Sequence, residues 1–215
     1  MENPNVTPQQ TDRAEEIVAK AKANKKTVYG VLIAAAVIVA AVIIYINVAA
    51  AGSRKADDAI AKADMEQNDS IATSLYAEAA KAGYKSGNRA KVEMGIRLFN
   101  DGKYEEAIKY LDDADIKDDI VAAGVYSLKG DCYVNLDKNA DALKCYDKAI
   151  GTADGNTELL PLFLVKKANV YRAEGDYAKE AAAYKELIDE YPEYVRASQT
   201  DIRKFYERAQ AQAAK

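Results

Sequence analysis

The sequence predicts an all-α chain: a single N-terminal transmembrane helix, then a solenoid of helical hairpins, then a C-terminal capping helix. Three observations lead there. One long stretch carries no charge, from Thr27 to Ser53. Glycine and proline are scarce, 11 and 4 in 215 residues, too few for the many turns of an all-β fold. Small and large apolar residues recur with a period near 35 residues through the second half of the chain. The expected order is a basic cytosolic tail over 1–27, the span over 28–51, a linker and degenerate hairpin over 52–87, three repeats over 88–196 and the cap over 197–215.

Composition narrows the chemistry. Thirty basic residues against 34 acidic give a net charge of −4, which argues against a broad basic face for nucleic acid. Histidine is absent. That removes the commonest general base, the commonest metal ligand and every Ser/His or Cys/His nucleophile pair. No phosphate loop or strand–turn–helix nucleophile context is present. The expectation is a protein that holds other proteins, with no catalysis, no metal and no cofactor.

The N-terminal tail reads in two parts. Residues 1–10, with Pro4 and Pro8, are expected to be disordered. Thr11 is placed to cap a short helix that ends in Lys20, Lys22, Lys25 and Lys26. The apolar run Val31–Ile46 follows. As a helix, residues 28–51 are about 36 Å long against a hydrocarbon core of about 30 Å. Twelve of those residues are Val, Ile or Leu. They favour insertion by about 4–7 kcal/mol. A buried core helix would need a polar stripe, and none is present. A cleaved signal peptide is the sharper alternative, since Ala49, Ala50 and Ala51 offer small residues. The 27 preceding residues, nine of them charged, favour retention. Five basic residues precede the span and three (Arg54, Lys55, Lys62) closely follow it, which places the N-terminus in the cytoplasm. Gly30/Ala34 and Ala36/Ala40 put small residues on one side of the span, a spacing that alanine abundance alone also produces.

Beyond the span, Arg54–Met65 reads as helix, either continuing the span or breaking near Gly52. Ser70 is expected to cap a second helix, Ile71–Ala82, stopped at Gly83. The repeats then align in three segments. The first has Gly95, Leu98, Gly102, Tyr104, Ala107 and Leu111. The second has Gly130, Tyr133, Asp137, Ala142 and Tyr146; the third has Ala168, Tyr171, Gly175, Tyr177, Ala181 and Tyr184. A small residue on each first helix faces one on the second, so the backbones approach closely and the large residues fill the groove beside them. Gly102 and Gly175 supply the positive φ that ends a first helix. Glu180 stands where the third repeat should have a small residue. Cys132 and Cys145 fall on two antiparallel helices with an axial offset of about 7.5 Å, too far for a bridge. At the end, Thr200–Ala214 reads as a capping helix with Ile202, Phe205 and Tyr206 inward and its Arg, Lys and Gln residues outward.

These spacings resemble tetratricopeptide repeats (TPRs); a generic helical bundle is the bland alternative. The resemblance implies a groove lined by the first helices. Repeat one supplies Val92, Ile96, Phe99 and Asn100; repeat two supplies Asp131, Val134 and Asn135; repeat three supplies Val165, Asn169 and Arg172. Asparagines would bond a peptide backbone while the apolar residues take its side chains. Val92, Ser127 and Val165 stand where the carboxylate-clamp subtype needs its first lysine, so that subtype is not expected. The order of tail, span and repeat domain, with the Asp201–Ala209 segment after Tyr191-Pro192, resembles the YfgM-like ancillary subunits of the bacterial Sec translocon. That resemblance implies a protein of the inner membrane with its repeats in the periplasm. Its partners would be the Sec translocon, a membrane-anchored periplasmic chaperone or prolyl isomerase, and exported polypeptides. Another envelope assembly, in wall synthesis or division, and an organelle import receptor of inverted topology remain the alternatives.

Overall fold

A computed structural model describes residues 25–82, 85–198 and 200–215, and the chain divides into two units, residues 1–51 and Gly52–Lys215. The expected disorder of residues 1–10 and the Thr11-capped helix lie outside the described residues, as does Gly83.

Helix α1 runs Lys25–Met65 and is long and apolar enough, near its N-terminal end, to cross a membrane. In the first unit most of its apolar side chains are solvent-exposed, Ile33 at 65% and Ile44 at 63%. Gly52 does not break the helix. One glycine costs about 1 kcal/mol in a helix interior, which the flanking alanines and the absence of proline offset.

The second unit is built of α1 from Gly52 onward and nine further helices, with no strand among the described residues. They are α2 Asp69–Ala79, α3 Lys85–Asn100, α4 Tyr104–Asp112, α5 Asp119–Asn135 and α6 Asn139–Thr152. Next come α7 Leu160–Glu174, α8 Tyr177–Glu190, the short α9 Pro192–Ala197 and α10 Ile202–Ala213. From α2 to α8 each helix packs against the next in chain order, and α10 returns onto α8. This neighbour-to-neighbour packing is what makes a solenoid.

Local chemistry sets the ends. Asn68, not Ser70, caps α2: its Oδ1 accepts from the backbone N–H of Ser70 and Ile71 at 3.1 and 3.2 Å. Asp118 and Asp176 do the same for α5 and α8. Gly102 and Gly175 both lie at φ 74° after α3 and α7, as the repeats require. Repeat two makes the same turn with Asp137 at φ 56°. The capping helix starts two residues later than the sequence suggests, because Asp201 bonds the Lys204 N–H at 3.1 Å and so becomes its N-cap.

The core follows the small-against-large pattern. A Cβ on Gly95 would lie 2.5 Å from Leu111 Cδ2, and one on Gly130 would lie 2.7 Å from Tyr146 Cδ1. Ala107, Ala142 and Ala168 are fully buried beside them. The first core joins Ala56, Ile60 and Ala63 of α1 to Tyr76, Met94 and Leu98, so the degenerate hairpin is packed into the solenoid. The terminal core joins Leu164, Ala168, Tyr184 and Leu187 to Ile202 of α10. Both cysteines are buried free thiols.

One expectation fails at the end. Arg208 does not point outward. Its guanidinium donates to Glu180 Oε1, and Glu180 is fully buried. The small residue that TPR packing wants on the second helix is here an ion-pair anchor for the cap.

Candidate protein-binding groove

The groove lies where α3, α5 and α7 converge. Phe99 comes from α3; Asp131, Val134 and Asn135 from α5; Asn139 and Tyr146 from α6; Asn169 and Val170 from α7. The depression they line has a volume of ≈290 Å³. Five of the ten residues expected to face a ligand therefore meet in one place: Phe99, Asp131, Val134, Asn135 and Asn169. Phe99 is half-buried, with its ring edge-on to Tyr104 at 5.5 Å. Val134 is 36% exposed. A rigid aromatic edge beside an open aliphatic side chain is an anchor for an apolar group.

The other five lie elsewhere. Val92 lines a second depression of ≈890 Å³ with Val121 and the α4–α5 loop. Ile96, between the two depressions along α3, is 38% exposed. Asn100 and Arg172 are exposed, and Val165 packs into the terminal core.

Asp131 has a role the sequence did not reveal. Its Oδ1 accepts from the Tyr146 hydroxyl at 2.8 Å, and its Oδ2 accepts from Lys166 Nζ at 2.5 Å. Lys166 also donates to Ser127 Oγ at 2.9 Å and sits 5.9 Å from the Tyr146 ring centre. Asp131 thus ties α5, α6 and α7 together. Burial, and then the Asp131 charge, hold the Tyr146 phenol well above its ordinary pKa. The carboxylate is therefore already engaged by the fold. Asn135 is similarly committed in part: its amide donates to the Asp131 carbonyl at 2.8 Å.

Ser127 and Lys166 are hydrogen-bonded, but Ser127 is 4% exposed and the lysine is held by Asp131. Among the described residues no group of His, Cys, Asp or Glu is placed to hold a metal ion.

Residues 123–155 and 163–194 each match a tetratricopeptide-repeat family model. The chain carries tetratricopeptide repeats. Those two stretches are the α5–α6 and α7–α8 hairpins, and the α3–α4 hairpin before them repeats the glycine-against-large-residue contact of α5–α6. Two crystal structures of MamA share the fold. One has a TM-score of 0.50 and 20% identity, covering 67% of this chain and 88% of MamA. The other has 0.51 and 20%, covering 77% and 88%. A TPR repeats protein from Bacteroides fragilis is more distant, at 0.43 and 18% over 76% of this chain and 84% of its own. No curated protein matches the sequence. Tetratricopeptide repeats mediate protein–protein interaction and are typically non-catalytic scaffolds, which sets the class of function.

Proposed function

We propose that the protein is a membrane-anchored scaffold whose α3–α5–α7 groove binds polypeptide, working at the bacterial Sec translocon with chaperone-like contacts to exported chains. In this reading residues 28–51 cross the inner membrane with the N-terminus in the cytoplasm. The repeats stand in the periplasm beside the translocon and a membrane-anchored chaperone or prolyl isomerase. The observation that carries the binding role is the apolar mouth made by Phe99 and Val134 over the fixed Asp131–Lys166 floor. An aliphatic or aromatic side chain fits between them, while Asn169 on the rim is exposed to bond its backbone. The exposed apolar half of α1 supports the anchor, and the residues flanking it support the orientation.

Photo-crosslinking tests this directly. A crosslinker at Phe99 or Asn135 in cells is expected to capture translocon subunits or exported chains in transit. Capture of wall-synthesis or division enzymes instead selects the other envelope reading, and capture of neither class refutes the groove. Protease protection in spheroplasts tests orientation: digestion of the repeats only after the cytoplasm is opened would overturn the periplasmic placement.

A further inference from the structure

The open end of the first hairpin holds a pocket of ≈680 Å³ remote from the groove. Alanines form much of its lining: Ala56 and Ala59 of α1, Ala79 at the end of α2 and Ala82 just past it. Lys55 stands on the α1 wall and Lys81 beyond the end of α2, both exposed, with Ser74 and Glu78 also on the rim. The opposite, turn end of this hairpin is different. There Asp64 takes Arg89 at 3.4 Å and Asp69 takes Arg97 at 2.5 Å, so those carboxylates are matched by α3. Lys55 and Lys81 belong to neither pair. Gly52, also on the pocket wall, directly follows the apolar segment in sequence.

We propose that this pocket takes the headgroup region of an anionic phospholipid. The phosphate lies between Lys55 and Lys81, and the glycerol and first acyl carbons lie against the alanines. The proposal rests on residues 28–51 spanning a bilayer, because that places lipid at Gly52. Two features select an amphiphile over a soluble anion. An alanine floor offers no side-chain hydrogen bond, so free phosphate would leave most of the pocket without a partner. Glu78 reduces the two cationic charges to a net of one, the match for a single phosphodiester. A cation near an anionic surface supplies about a fivefold preference, so the two lysines together give roughly thirtyfold before Glu78 subtracts its share.

The test uses the full chain in lipid nanodiscs, of phosphatidylcholine alone or mixed equally with phosphatidylglycerol. Ala59→Cys on the pocket floor is reacted with a maleimide; the native thiols are buried and give a low background. Occupancy is expected to slow labelling by about tenfold in the phosphatidylglycerol discs. Lys55→Gln/Lys81→Gln restores the fast rate, and Glu78→Gln slows labelling further. Ser74→Cys serves as a second probe if Ala59→Cys perturbs packing. Inorganic phosphate added to phosphatidylcholine discs leaves the rate unchanged; protection by it would overturn the lipid in favour of a free anion. Equal rates in both discs at both probes, or slowing that survives the lysine substitutions, overturns the site. A chain that fails to enter the discs overturns the span itself, which is a separate result from either.

Discussion

The sharpest test of the packing argument is Gly130→Ala. Alanine is the better helix former by about 1 kcal/mol, so propensity alone predicts stabilisation. The structure predicts the opposite. A Cβ on Gly130 would sit 2.7 and 2.8 Å from Tyr146 Cδ1 and Cζ, and closer still to Cε1. Ordinary contact needs over 3.4 Å, so the ring must retreat by most of an ångström. Tyr146 is 2% exposed and its hydroxyl is held by Asp131, which in turn holds Lys166. Overpacking of this kind costs about 1–3 kcal/mol, and loosening the hydroxyl bond adds about 1. Set against the helix gain, the net is a loss of about 1–3 kcal/mol, or roughly 3–10 °C in Tm for a domain of this size. The measurement is thermal and urea unfolding of the full chain in detergent, followed by far-ultraviolet circular dichroism. Tyr146→Ala supplies the second arm, since removing the ring should make Gly130→Ala neutral or stabilising. A Gly130→Ala protein as stable as the parent, with Tyr146 in place, would refute the wedge.

Other substitutions should raise stability. Gly124 is exposed in α5 and an added Cβ there meets nothing within 4 Å, so Gly124→Ala should stabilise by about 0.5–1 kcal/mol in the same unfolding assay. Asp137 holds φ 56° at the turn where the neighbouring repeats use glycine; Asp137→Gly should gain about 0.5 kcal/mol, and a loss would show that its side chain serves the turn. Alkaline pH should weaken the fold. Burial pushes the Cys132 thiol up to about 11 and also raises Cys145, Tyr146 and Tyr184. These groups stay protonated in the fold while the unfolded chain releases its protons near pH 8.5–10. Stability is therefore full below about pH 8.5 and falls as pH climbs past it, Cys132 alone accounting for roughly 2–3 kcal/mol by pH 11. Tm measured from pH 7 to 11 checks this, and a flat profile would contradict it.

What could be read in advance follows from the range of each interaction. The repeat is legible because helical period, a small residue at Gly95, Gly130 or Ala168 and a turn glycine are short-range demands on one hairpin. Helix ends were less certain, since Asn68 and Ser70 are both good caps and only the backbone path decides between them. The groove was half legible. Phe99, Val134 and Asn169 follow from their helix face, but Val165 does not, because the cap adds a neighbour that the repeat pattern leaves out. Asp131 shows the limit most clearly. A carboxylate on a first helix reads the same whether it awaits a ligand or is spoken for by a lysine 35 residues on.

Glu180 explains why the last repeat departs most from the pattern. An interior repeat buries its second helix against another hairpin, and a small residue serves that contact. The third repeat has no further hairpin among the described residues and is closed by α10, a mostly polar helix with a narrow apolar stripe of Ile202, Phe205, Tyr206 and Ala209. A stripe that narrow fixes burial but not rotation about the helix axis. The Glu180–Arg208 pair supplies the missing constraint, since it forms only when Arg208 turns toward α8. The arrangement has a cost: Glu180 Oε2 is buried with no hydrogen-bond partner. A buried charge pair is poor as a source of stability and better suited to fixing register. On that account the substitution of a carboxylate for a small residue is what a repeat packed against a narrow polar helix, rather than against another hairpin, needs.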